Sequence, residues 1–510
     1  MRRIPLGLVA LAAIACAWST PARELQAGKL RQYETPNYTL VTSKDDEASS
    51  LTTRLSQVES LLATVVPSVG PSNGLPVTIV VTPPHRWRKY FEDHEVDAGL
   101  LAHRFSYSVL LGGWRNGNAL RKVAYYEYAR LYMRAHYRGQ LPLWYEVGLA
   151  NLAYGASLEP DGATIGLDPF DSAREFGGAT WAFRTDLYRR QRTSRLSTAE
   201  LLRLDASSPA YANSGIAEQA DFQSWMLVHR AYVTNLGLGR QIDDYLGRVA
   251  LFETPEEAAR QAFNKKLDEF DAEMADYERN SKAHLRQVHF KPAAPPLLSR
   301  LPDLEDRQSI VMVARALIDA GQKPARISEI IADGAKAGAD LAGLLGLKMR
   351  VAINEKDDAA FGALIKEAER RIRQPRVARE LALGLYERVH EDVPGAGADF
   401  PERQAMRERA LQLLAPQVVG QPDDVEAVWS HAMLAAVLKR DLEVAQAAIT
   451  RTRAHLPRNP DVALAAALLK NARGQWGTAV EELTDVVRYS PNSELRLWAA
   501  HQLLVVRTAR

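Results

Sequence analysis

The stretch "VAYYEYARLYMRAHYRGQLPLWYEVGLANLAYG" (residues 123–155) decides how this chain is read. It holds two helical segments joined through a short basic stretch and Pro142. In the first, "YEYAR" (126–130), Arg130 follows Glu127 by three positions, which places both on one face, one turn apart. The second, "LPLWYEVGLA" (141–150), carries another carboxylate, Glu146. Tyr125, Tyr126, Tyr128 and Tyr132, with Trp144 and Tyr145, add a large aromatic surface. Core packing with wet hydroxyl tips is its expected use, and a ligand cage the less common one.

Upstream, "NYTLVTS" (37–43) is a β-rich run, followed by an amphipathic stretch over about 45–66. The β-branched "LPVTIVVT" (75–82) and "FSYSVLLGG" (105–113) read as strands, and "PPHRW" opens a new element behind two prolines. Glu127 is therefore expected on the helix that follows a small sheet, in an α+β domain. Beyond about residue 179 strand signals nearly vanish, and Thr254-Pro255-Glu256 is a helix start with proline in the first turn. Prolines concentrate in "HFKPAAPPLLSRLPD" (289–303), where the main domain boundary is expected.

The quoted helix pair resembles the active site of the gluzincin metallopeptidases, the superfamily of thermolysin-like proteases and zinc aminopeptidases. It is most similar to exported bacterial members whose motif reads roughly H-E-Y-x-H, a short basic stretch, then P-x-W-x-x-E-G-x-A. In that family two histidines four apart grip one zinc ion, and the glutamate beside the first polarises a metal-bound water. The third ligand is a glutamate on the next helix. The resemblance implies that Glu127 stands at the general-base position and Glu146 at the third-ligand position. Tyr126 and Arg130 stand where the histidines belong. A guanidinium has no lone pair to give, so no metal site is expected and zinc should be absent. Arg130 is instead expected to pair with Glu146, Glu127 or both, since two carboxylates left facing one pocket need a cation. Among the histidines, His136 falls about 280° round the helix from Tyr126, His94 opens an incomplete "HEVDA", and His103, His229, His284 and His289 are expected to be ordinary surface or hydrogen-bonded residues.

Beyond Asp303 the chain is rich in alanine and leucine and almost wholly helical in pattern. Counting from Glu426, Trp429, Ala445 and Pro457 recur thirty-four residues later as Ala463, Ala479 and Pro491. Gly474 in "GQWGTA" makes the turn of the second unit. The pattern resembles the tetratricopeptide repeat, in which a small residue lets paired helices approach and a proline stops the second one. Ala410 with Pro422, and "DDAAFGALIKEAERRIRQP" ending at Pro375, are weaker copies, so a helical-hairpin solenoid is expected over 304–421. Trp429, Ala445 and Ala479 form the repeat framework and are the positions considered for partner binding.

The start, "MRRIPLGLVALAAIACAWSTPARE", has the basic, apolar and small-residue layout of a secretory signal peptide, with cleavage after Ala17 or Ala22. The single cysteine, Cys16, lies inside it, which leaves a mature chain without disulfides or thiol chemistry; a lipid anchor on Cys16 is the lesser alternative. With 46% hydrophobic and 25% charged residues and a net charge of +2, the chain has no electrostatic footprint for nucleic acid. No later apolar run is long enough to span a membrane. The expected layout is a signal peptide (1–22), an α+β gluzincin-like domain (23–288), a proline-rich linker (289–303) and an all-α repeat domain (304–510). The expected protein is periplasmic or secreted, catalytically inactive, and binds a protein or peptide through the solenoid, with strand addition along 105–113 as a second mode. The alternatives are a hydrolase using Glu127 with unrecognised metal ligands, and a scaffold in which the repeats alone matter.

Overall fold

The computed structural model describes the chain from residue 30 to 508, apart from 83–97, 113–116, 173–194, 292–296, 391–400 and shorter breaks, most of them at 103–104, 206–213 and 305–323. The expected signal peptide (1–22), Cys16, His94, His103, "PPHRW" and all of "RRQRTSR" but Arg195 lie outside the described residues. Strands β1 (Arg31–Glu34), β2 (Thr39–Thr42), β3 (Val77–Thr82), β4 (Ala98–Ala102), β5 (Tyr107–Gly112) and β9 (Ser299–Arg300) form a mixed sheet in the order β4-β5-β3-β2-β1-β9. The pairs β2–β3 and β3–β5 are parallel, and the remaining pairs are antiparallel. A second small sheet holds β6 (Ser157–Glu159), β7 (Gly162–Ile165) and β8 (Arg286–His289).

Strand alternation divides the apolar residues between two layers. Leu40, Ile79, Val81, Val109 and Leu111 face the main core, which includes the buried stripe Leu51, Leu55, Val58 and Leu62 of α1 (Asp45–Val65). Leu30, Val41, Val80 and Leu110 face the other way and are covered by Leu304 and Met312. Helix α2 (Gly117–His136) follows β5 and lies against α1, and α3 (Leu143–Gly155) packs between α2 and α4 (Ser214–His229). Every residue of α3 from Trp144 to Gly155 is buried. Gly148 makes this possible, because a Cβ there would stand 2.5 Å from the Ser224 carbonyl oxygen of α4. Helices α5 (Leu236–Ala250), α6 (Pro255–Phe263) and α7 (Leu267–Asn280) complete this half. Thr254 caps α6 with Pro255 in its first turn, as its sequence signals.

The C-terminal half is all helical: α8 (Pro324–Lys336), α9 (Leu341–Asn354), α10 (Asp358–Glu369), α11 (Pro375–His390), α12 (Pro401–Gly420), α13 (Val425–Leu438), α14 (Leu442–His455), α15 (Pro460–Ala472), α16 (Trp476–Tyr489) and α17 (Ser493–Thr508). Helices α9, α11, α13, α15 and α17 stack side by side, and the first four each pair with the helix that follows. They begin at residues 341, 375, 425, 460 and 493, so the spacing is close to thirty-four residues except between α11 and α13, where it is fifty. Gly474, at φ +76°, makes the turn before α16. In the turn before α14 the left-handed positions fall on Lys439 and Asp441 instead.

Two expectations need correction. The segment 289–303 is no free linker: His289 ends a strand paired with β7, and Ser299 and Arg300 pair with Glu34 and Tyr33 of β1. Strand β5 is interior, paired with β3 on one side and β4 on the other, so no peptide can add along it. The two halves also share one continuous hydrophobic core. The Phe105 ring meets Trp429 edge-on at 5.5 Å, Arg458 donates to the Pro71 carbonyl at 2.9 Å, and the Arg496 guanidinium lies 4.3 Å from the centre of the Phe252 ring.

Candidate functional site

Helix α2 presents Glu127, Arg130 and Arg134 on one face, since offsets of three and four residues return to the same side. Glu146 comes from the first turn of α3, where the helix dipole also favours an anion. Both carboxylates are buried. Arg130 bridges them: its Nε donates to Glu146 Oε1 at 2.7 Å and its Nη1 to Glu127 Oε2 at 3.2 Å. Arg134 grips the same Glu146, with Nε at 3.1 and 3.0 Å from the two oxygens and Nη2 at 2.9 Å. The pairing expected for Arg130 is therefore present, with a second arginine that reading residue by residue missed. Arg134 stood in plain view, one turn beyond Arg130 on the same face.

The quartet has two negative and two positive charges, the same balance as two carboxylates with one zinc dication. Its members differ in how burial is offset. Burial pushes the Glu127 carboxyl up, and the charge of Arg130 opposes this only in part. For Glu146 burial pulls the same way, yet Arg130 and Arg134 outweigh it and hold its carboxyl below the usual value. Burial works against the Arg130 cation, but Glu127 and Glu146 together raise its pKa well above normal. The proton thus stays on arginine, and Glu146 is the firmly ionised partner.

Around the quartet, Tyr126 is buried with its ring centre 5.8 Å from the Arg130 guanidinium. Tyr211 donates to Asp221 Oδ1 at 2.8 Å, and its phenol, raised by burial and by Asp221, also feels Tyr126 and Arg130. Tyr211 and Asp221 reach this corner from outside the two motifs, and no local spacing announced them. The other tyrosines are core residues: Tyr128 donates to Glu59, Tyr132 stacks on His136 at 4.2 Å, and the Tyr145 and Tyr232 hydroxyls meet at 2.7 Å. His136 bonds the Gly70 carbonyl through Nδ1. His229 is fully buried, with Nδ1 at 2.7 Å from the Tyr277 hydroxyl and Nε2 facing the carbonyls of Gly166 and His284. Burial lowers its pKa, so it sits neutral, as a structural bridge.

These residues do not fit a zinc ion. The positions that face Glu146 offer two guanidinium groups, which have donors only. Among the described residues no group of three histidine, cysteine, aspartate or glutamate side chains is placed to hold a metal. Trp429, Ala445 and Ala479 are brought into the array but not to its surface. All three are buried, and the Trp429 Nε1 donates to the Asp461 carbonyl at 3.1 Å. They build the framework and cannot touch a partner. No helix among the described residues is long and apolar enough to cross a membrane.

Comparison with protein-family models, with curated proteins and with solved structures gave no match for this chain.

Proposed function

We propose that this chain is an exported, metal-free gluzincin-like protein whose N-terminal domain is joined to a tetratricopeptide-like array, and that it binds a protein or peptide without cleaving it. The observation that carries this reading is Arg130 lying between Glu127 and Glu146, at the position where the family's second histidine would stand. A guanidinium there links the two helices as a metal would, but it cannot activate a water for attack. The stacking of hairpins from α9 to α17 supports the repeat assignment, most directly over α13 to α17 where the hairpin starts are 33 to 35 residues apart, and repeat arrays of this kind act through extended surfaces. Partner contacts on the array would come from its exposed residues, because the framework positions are buried.

Metal analysis tests the reading directly. Purified protein is expected to carry no stoichiometric zinc and to leave casein-like substrates uncut. Zinc at one per chain, lost on Glu146→Ala, would restore the hydrolase alternative with Glu127 as its base. The double change Tyr126→His with Arg130→His should give the scaffold measurable zinc affinity, because it supplies two imidazoles four residues apart beside Glu146.

A further inference from the structure

Helix α13 is one of the places where the two halves of the molecule meet, through Trp429, whose ring packs edge-on against Phe105 of the sheet domain and against Tyr386 of α11. Two residues further along is His431. Its side chain is completely buried, and neither ring nitrogen has a hydrogen-bond partner among the described residues. The contrast with His229 is direct: that ring is as deeply buried, but both of its nitrogens are engaged. A buried polar group left unpaired costs free energy, and a charged one costs far more. Helices α11, α12, α14 and α15 pack around α13. The charge that acts on the His431 ring from these elements is that of Asp441, at the start of α14. Arg379 of α11 ties Asp424 and Glu426 at the N-terminal end of α13.

We propose that His431 is an acid-operated release: protonation of its ring loosens α13 and with it the seat that Trp429 provides for Phe105. The direction follows from linkage. Burial lowers the histidine pKa in the folded chain below its ordinary value of 6.5, and Asp441 offsets this only in part. Between the ordinary and the folded value, the opened form takes up a proton that the closed form refuses. Stability is therefore complete above about pH 6.5 and is lost as the pH falls below it. A neutral ring is tolerated in this buried site, whereas for an imidazolium the compensating charge among the described residues is Asp441, in the turn between α13 and α14.

Hydrogen exchange on the full chain at pH 7.5 and 5.5, corrected for intrinsic rates, tests this with wild type, His431→Leu and His431→Gln. In wild type, amides of residues 425–438 and 105–112 should open up to about tenfold more for each pH unit below the ordinary histidine value. Both variants should hold their protection, and His431→Gln keeps the test valid if His431→Leu packs badly. Equal loss in wild type and variants would overturn the proposal and assign the acid response to His229 or to carboxylates. Opening confined to 425–438, with 105–112 unchanged, would overturn the release from the sheet domain.

Discussion

Helices α2 and α3 are bridged by buried charge, whereas α13 to α16 pack on small apolar residues, with Glu482 of α16 paired to Arg453 and Lys470 beside them. At the first junction two carboxylates and two arginines link the helices, and Gly148 lets α4 pack closely on α3. At the second, Ala445 and Ala479 are fully buried, and Trp429 is buried against Tyr386 of α11 and Phe105. A charged junction tolerates changes of shape better than a change of one partner's charge, because the remaining ion is left buried. A close-packed junction has the opposite sensitivity.

That contrast can be broken by substitution. Trp429→Ala should be the most damaging change, at roughly 3–5 kcal/mol, because it empties the position where α11, α13 and Phe105 converge. A urea midpoint unchanged from wild type would show that the array does not depend on this contact. Arg130→Met comes next. It removes the cation shared by Glu127 and Glu146, and breaking such a buried pair costs about 3 kcal/mol, held below the top of the usual range because Arg134 still serves Glu146. Adding Glu127→Gln to that variant should recover part of the loss, which a double-mutant cycle measures. Ala445→Leu should cost about 1–3 kcal/mol by overpacking the α13–α14 hairpin, with no dependence on pH.

Much of this architecture was legible locally. The helix over 45–65, the strands at 77–82 and 107–112, the capped start at Thr254 and the helix pair around Glu127 all carry their periodicity or turn signals within a few residues. The parts that escaped are those defined by distant partners. Strand β9 is two residues long beside a proline-rich run, and only its pairing with β1 makes it a strand. Strand β4, at the sheet edge, takes its place from β5. In the site, Glu127, Arg130 and Glu146 follow from spacing on two adjacent helices. Tyr211 and Asp221 arrive through the packing of α4 on α3, which depends on Gly148, and no window of sequence contains that information.

The smallest predicted effect separates the two carboxylates. Glu146 is held ionised below its ordinary pKa, so its contribution is present above about pH 4.5 and is lost as the pH falls through the lower folded value. Glu127 has the opposite sign. Its pKa is raised by burial, so the folded state prefers the protonated form and the ionised form subtracts from stability as the pH rises. Glu127→Gln removes that cost along with one hydrogen bond to Arg130, and the two nearly cancel, leaving a change under about 1 kcal/mol at pH 7. Glu146→Gln removes the favourable term and leaves both arginines short of a partner, so it should cost more and should flatten the acid limb of the stability profile. Urea midpoints measured from pH 3 to 7 for the two variants check this ordering. If Glu127→Gln proves the costlier change at pH 7, Arg130 belongs mainly to Glu127, and the bridge between α2 and α3 rests on Arg134 instead.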